Sequence, residues 1–191
     1  MDRRYAICFT VLMLMMVASS TGYQLGPQMT SDEYKKRFGA SYSPFSAALE
    51  TLQKQIDYTF NRIHLLRRAV THASFSEENN RALSILGISI VETSVSFQYL
   101  QNDIDISSDT LNHEIQQVCN VESSCAVEGM RLGLHKVIRV SHNTNSTTPA
   151  IVCGAFRAIF GAIAIDSGKP DVAGKVFWNV HTRKGRLTAE L

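Results

Sequence analysis

The residues of this 191-residue chain whose types suit chemistry on their own are a few cysteines, one glycosylation triplet and scattered histidines and arginines. With Cys8 set aside as part of the N-terminal segment 1–22, Cys119, Cys125 and Cys153 remain, an odd number that permits one disulfide and one thiol. The interval from Asn120 to Ser124 reads as a break between two helices. Such a corner can bring two Cα atoms within the ~4.4–6.8 Å that a disulfide spans, so Cys119–Cys125 is the expected pair. Three buried apolar cysteines are the alternative. Asn145-Ser146-Thr147 is an N-glycosylation triplet in a polar, turn-rich stretch from Ser141 to Pro149. The six histidines are dispersed, and neither Cys-x-x-Cys nor a Cys/His zinc spacing occurs, so no metal site of that kind and no cofactor is expected. His72 reads as a buried histidine that fixes a helix end, with a catalytic base as the alternative. His181-Thr182-Arg183-Lys184-Gly185-Arg186 reads as a solvated basic end, with contact to phosphate as the alternative; whether Arg67, Arg68 and Arg81 form a patch with it is left open by the sequence.

The elements that must position these groups follow from composition and periodicity. With 45% apolar residues and only 4 Pro, the chain suits one globular domain with a substantial core. A formal charge of +2 gives no general field for nucleic acid. Arg3 and Arg4 precede a 13-residue apolar run, Ala6 to Ala18, followed by Ser19, Ser20, Thr21 and Gly22. This is the pattern of a secretory signal peptide, with cleavage expected near Ser20 or Gly22. The run is shorter than the ~20 residues of a membrane span, so no span is expected in the mature chain. Removal of residues 1–22 leaves 17 basic against 16 acidic residues.

Residues 23–42 read as an irregular leader, 43–182 as the domain and 183–191 as a basic tail. Ser43 suits an N-cap with Pro44 in the first helical position, and Leu49, Leu52, Ile56 and Phe60 recur at helical spacing. Further helices are predicted over 63–70, 82–100, 109–119 with Asp109 as cap, 124–132, 151–165 and 172–180. Alternation of period two is scarce, so the fold class is all-α with about seven helices.

Against that background, several ordered blocks resemble the ribonuclease III domain. Tyr58-Thr59-Phe60 and Leu65-Leu66-Arg67-Arg68-Ala69-Val70-Thr71-His72-Ala73-Ser74-Phe75 are similar to the family's opening, Tyr-x-Phe and then Leu-Leu-x-x-Ala-Leu-Thr-His-x-Ser-Tyr. Asn80 to Ile88 stands where the family has Asn-Glu-Arg-Leu-Glu-Phe-Leu-Gly-Asp. Arg131-Leu132-Gly133-Leu134 resembles Lys-Leu-Gly-Leu, and Cys153 to Gly168 resembles Ala-Asp-x-x-Glu-Ala-Leu-Ile-Gly-Ala-Ile-Tyr-Leu-Asp-x-Gly. The likeness covers about residues 45–180.

The resemblance implies phosphodiester hydrolysis by two Mg²⁺ ions held by four carboxylates from two packed helices. Those four positions are Ser84, Ile88, Gly154 and Arg157 here, and a fifth acidic position is Arg81. None keeps a carboxylate. A guanidinium ~4 Å from a divalent ion is repelled by roughly 8 kcal/mol at an effective dielectric of about 20. Glu92, one turn beyond Ile88, and Asp166 are the neighbouring acids that could compensate. The second helix keeps packing features, with Phe156, Ile159, Phe160 and Ile163 at core spacing and Gly154, Ala158, Gly161 and Ala162 permitting close approach.

The expectation is therefore a catalytically silent ribonuclease III-like domain. The family likeness implies a homodimer formed through residues 80–99, and the protein partner is left open. The narrower likeness is to short plant members with one such domain behind a secretory leader. It implies a scaffold or binding role in nuclear fusion, the karyogamy of polar nuclei in the female gametophyte. The expected location is the endoplasmic reticulum or perinuclear lumen or the cell exterior, ahead of the mitochondrion. An RNA-processing protein, either a weak double-stranded RNA binder or a residual Mg-dependent endoribonuclease, is the alternative. No double-stranded RNA-binding domain is read after the domain, so RNA binding is expected to be weak.

Overall fold

The computed structural model describes residues 43–182. The expected signal peptide, the leader 23–42 and the tail 183–191 lie outside the described residues. Seven α-helices are present among the described residues: α1 Pro44–Ile56, α2 Ile63–Ala69, α3 Arg81–Asn102, α4 Ser108–Cys119, α5 Ala126–Arg131, α6 Pro149–Ser167 and α7 Pro170–Thr182. Among the described residues the only extended pairing is one isolated bridge between Thr71 and Arg139, both outside the helices. The fold is all-α, as the periodicity predicts.

Local chemistry sets the helix ends. Ser43 Oγ accepts the Ser46 amide at 3.1 Å, and Pro44 opens α1. Asp57, with φ 57°, ends α1 in the left-handed region, so the helix stops before Phe60 although Phe60 is buried. The cap of α4 is Ser107, whose Oγ accepts the Thr110 amide at 3.1 Å, while Asp109 lies in the first turn. Between α4 and α5, a π-turn runs over Val121–Cys125, held by Asn120 Oδ1, which accepts the Glu122 and Ser123 amides at 3.0 and 2.9 Å. Gly168, at φ 70°, closes α6.

α6 is the central helix, with α3 packed along it and α2, α5 and α7 around it. Phe156, Phe160 and Phe177 meet edge to face at 5.0 and 5.4 Å in the core. By length and composition α3 and α6 are both apolar enough to cross a bilayer. Most of α6 is buried in the core, whereas much of α3 is not.

The Tyr58–Arg62 segment is tied to the end of α6 by Asp166. Its carboxylate accepts the Tyr58 hydroxyl and the Asn61 and Arg62 amides, each at 2.9 Å, with the Arg62 guanidinium at 3.4 Å. Burial pushes the Asp166 carboxyl upward, but the Asn61 amide, the Tyr58 hydroxyl and Arg62 outweigh it and hold it below the usual range.

Candidate functional site

The two motif helices meet backbone to backbone. A Cβ placed on Gly87 of α3 falls 1.8 Å from the Arg157 carbonyl oxygen, and one on Gly161 of α6 falls 2.1 Å from the Leu83 carbonyl oxygen. Only residues without side chains allow this crossing. It brings the α3 segment with Ser84 and Ile88 against the α6 segment with Arg157.

The side chains at that crossing do not suit a divalent cation. Ser84, Ile88, Gly154 and Arg157 are half-buried and Arg81 is exposed. A hydroxyl, a hydrocarbon, a missing side chain and a guanidinium replace the hard anionic oxygens such an ion requires. A Cβ on Gly154 would meet nothing within 4 Å, so this glycine leaves open space and does not serve the close packing read from sequence. Among the described residues, no group of three or more His, Cys, Asp or Glu is placed to hold a metal.

Arg157 has a different task. Its Nη2 donates to the carbonyl of Cys119 at 2.7 Å, placing a positive charge on the C-terminal end of α4. The Cys119 thiol is pushed up by burial and by the charge of Glu92, and Arg157 partly offsets this. Glu92, Cys119 and Arg157 thus share one neighbourhood. Of the two acids that could compensate, Glu92 stands near the crossing, whereas Asp166 is engaged by Tyr58, Asn61 and Arg62.

The disulfide differs from the expected one. Cys125 bonds Cys153, with Cα atoms 5.1 Å apart, and Cys119 is free. The π-turn is the physical reason: it carries Cys125 into the interior against α6, while Cys119 stays half-buried at the end of α4. His72 also departs from expectation. It is half-exposed, its Nδ1 accepting the Ser74 amide at 3.1 Å. The buried residue at that helix end is Thr71, whose hydroxyl donates to the Arg67 carbonyl at 2.6 Å and accepts from Arg139 Nη2 at 2.6 Å. Arg139 in turn lies over the rings of Phe45 and Phe75 at 5.0 and 4.9 Å.

Of the three arginines read as a possible patch, Arg68 donates to the Asn79 carbonyl at 3.1 Å, and Asn79 Oδ1 accepts the Arg81 amide at 3.1 Å. These contacts gather Arg68 and Arg81 at the start of α3, while Arg67 lies close enough to Arg139 to lower its pKa, after burial.

Sequence reasoning missed two features. Glu128 of α5 is 1% exposed; Arg131 Nη2 meets its Oε2 at 2.7 Å and the Val180 carbonyl at 2.6 Å, and His181 Nδ1 lies 3.5 Å from its Oε1. Burial raises the Glu128 carboxyl, and His181 and Arg131 bring it below its ordinary value. The i, i+3 spacing of Glu128 and Arg131 was the available signal. The second is a groove of about 530 Å³ between α3 and α7, lined by Ile90, Phe97, Gly174 and Trp178 among others. Phe97 and Ile85, on the outward part of α3, are 62% and 70% exposed.

The family model described as Ribonuclease-III-like matches residues 62–181. Protein NUCLEAR FUSION DEFECTIVE 2 of Arabidopsis thaliana is 54% identical over 186 residues, covering 96% of this chain and 97% of that protein. Ribonuclease 3 of Thiobacillus denitrificans is 30% identical over 122 residues, 61% of this chain and 53% of that protein, so the chain spans about half the length of this bacterial relative. A solved nuclease domain of ribonuclease III from Campylobacter jejuni, described for structural flexibility in a region involved in dimer formation, superposes with a TM-score of 0.67 at 26% identity. The superposition covers 71% of this chain and 96% of that one. With a family model spanning most of the described domain, the chain belongs to the ribonuclease III-like family.

Proposed function

We propose that this protein is a non-catalytic ribonuclease III-like domain that acts as a homodimeric binding or scaffold protein in the secretory pathway and, like its Arabidopsis relative by name, serves nuclear fusion. The observation that carries the reading is the crossing of α3 and α6: the glycine contact is kept, four positions lack carboxylates, and Arg157 holds the Cys119 carbonyl. A buried Cys125–Cys153 disulfide supports an oxidising compartment. The exposed Ile85 and Phe97 beside the α3–α7 groove support pairing through α3.

The test is a melting curve and a cleavage assay on the purified, non-reduced chain. A Mg²⁺ site filled at 100 times its dissociation constant would stabilise the fold by about 2.7 kcal/mol. For a domain of this size that is a rise of roughly 8 °C in Tm. The expected result is no shift with MgCl2 or EDTA, no cutting of duplex RNA, and a dimer mass by light scattering. Mg-dependent cutting or the full thermal shift refutes catalytic silence, and salt-sensitive retention of duplex RNA supports the RNA-binding alternative. In a null mutant, rescue of nuclear fusion requires the version with residues 1–22; rescue by a version lacking them refutes the lumenal mechanism.

A further inference from the structure

We infer that Asn145 carries an N-linked glycan, placed on a loop separate from the groove between α3 and α7. The inference rests on the proposed secretory location and adds a modification that the scaffold reading does not require. Asn145 is exposed, and its Oδ1 accepts both the amide of Thr147 at 2.9 Å and the Thr147 hydroxyl at 2.7 Å. The third residue of the triplet is thus engaged with the acceptor carboxamide. No hydrogen bond ties down Asn145 Nδ2 among the described residues, so the atom to be glycosylated is free. Ser146 fills the middle position of the triplet and Thr148 follows it, and the nearest proline, Pro149, lies beyond the positions where it would block the triplet.

The loop itself is anchored. Ser146 Oγ donates to the His135 carbonyl at 2.9 Å, Thr148 Oγ1 to the Asn145 carbonyl at 2.9 Å, and the Ser141 amide to Ser74 Oγ at 3.1 Å. Modification at Nδ2 replaces none of these bonds. No residue of 141–148 lines the groove, so a bulky, hydrophilic chain on Asn145 leaves the groove lining unmodified and covers a different part of the surface. The co-substrate is a lipid-linked oligosaccharide. The bond from sugar C1 to the lipid pyrophosphate breaks as the bond from C1 to Nδ2 forms; the pyrophosphate leaves, and one amide proton passes to a base of the transferase.

The experiment expresses the full chain in eukaryotic cells with its own residues 1–22 and, in parallel, behind a heterologous secretory leader. Mobility is read before and after glycosidase treatment. The expected result is a single upward step in both forms that glycosidase removes, that Asn145→Gln and Thr147→Ala abolish, and that Thr147→Ser retains. An unshifted chain behind the heterologous leader refutes the site, since that chain has met the transferase. A shift with the heterologous leader alone refutes the secretory location and, with it, modification of the native protein. An Asn145→Gln chain that still shifts also overturns the assignment, and its Cys125–Cys153 bond reports that the variant has folded.

Discussion

Replacing Cys125 and Cys153 together by Ala should destabilise the domain by several kcal/mol, whereas replacing Cys119 should not. The bond closes a loop of sequence separation 28. The chain-entropy relation for a loop of that length gives about 3.5 kcal/mol at 25 °C. For a domain of this size, that corresponds to a fall of roughly 10 °C in Tm. Alanine is the right replacement because both sulfurs are buried and serine would leave hydroxyls without partners. Cys119 is half-buried and uncrosslinked, so Cys119→Ala should cost about 1 kcal/mol or less. Thermal melts with and without dithiothreitol read the effect, and a non-reduced peptide map reads the pairing. Reduction should lower the wild-type Tm to that of the double variant and leave the double variant unchanged. A map joining Cys119 to Cys125, or a Cys119→Ala melt as low as that of the double variant, would show that the π-turn argument for the pairing is wrong.

Gly87→Ala should destabilise by about 1–3 kcal/mol or more, because its Cβ would lie 1.8 Å from the Arg157 carbonyl oxygen and α3 must shift away from α6. Gly154→Ala meets open space and should stabilise by up to about 1 kcal/mol through helix propensity; urea unfolding that moves both variants in the same direction contradicts the crossing described. Asp166 and Glu128 both have lowered carboxyl pKa values, so the stability they contribute is present above about pH 4, where unfolded carboxyls titrate, and is lost as pH falls through their lower folded values. Wild-type Tm should therefore drop more steeply below pH 4 than that of Asp166→Asn, and parallel curves would refute the assignment. Tyr58 is pushed up to about 12 by burial and by its bond to Asp166, so its stabilising effect holds below about pH 10 and fades as pH rises toward 12. Absorbance titration of Tyr58→Phe should lack the last tyrosine to ionise.

How much of this was legible in the sequence depends on the range of each interaction. Ser43-Pro44 and the Leu49, Leu52, Ile56 spacing specify α1 through contacts within a few residues, and they are found as read. Phe156, Ile159, Phe160 and Ile163 are likewise buried as their spacing predicts. The end of α1 escaped because Asp57 adopts a left-handed conformation inside an otherwise continuous apolar period. The disulfide escaped because the partner of Cys125 is chosen by the packing of the π-turn on α6, across 28 residues, and spacing carries no record of it. Thr71 took the buried place given to His72 because Arg139, 68 residues away, fills the space over its hydroxyl. The positions without carboxylates could be read from the motif frame alone, but what Arg157 does instead could not.

That last point bears on why the fold persists at a site of this composition. Cys153 and Arg157 are one turn apart on α6, and each reaches the junction between α4 and α5: one through a covalent bond to Cys125, the other through the Cys119 carbonyl. The junction is thus held to α6 twice within a single helical turn, by groups that need no bound ion. The positive charge at the C-terminal end of α4 is supplied by the chain itself, and the covalent bond survives only where thiols are oxidised. A domain fastened in this way can keep α3 and its exposed apolar side chains in a fixed geometry without metal. On the proposed reading, the absence of carboxylates at the crossing and the exposed apolar side chains of α3 are compatible, because the fastening of α4, α5 and α6 depends on neither.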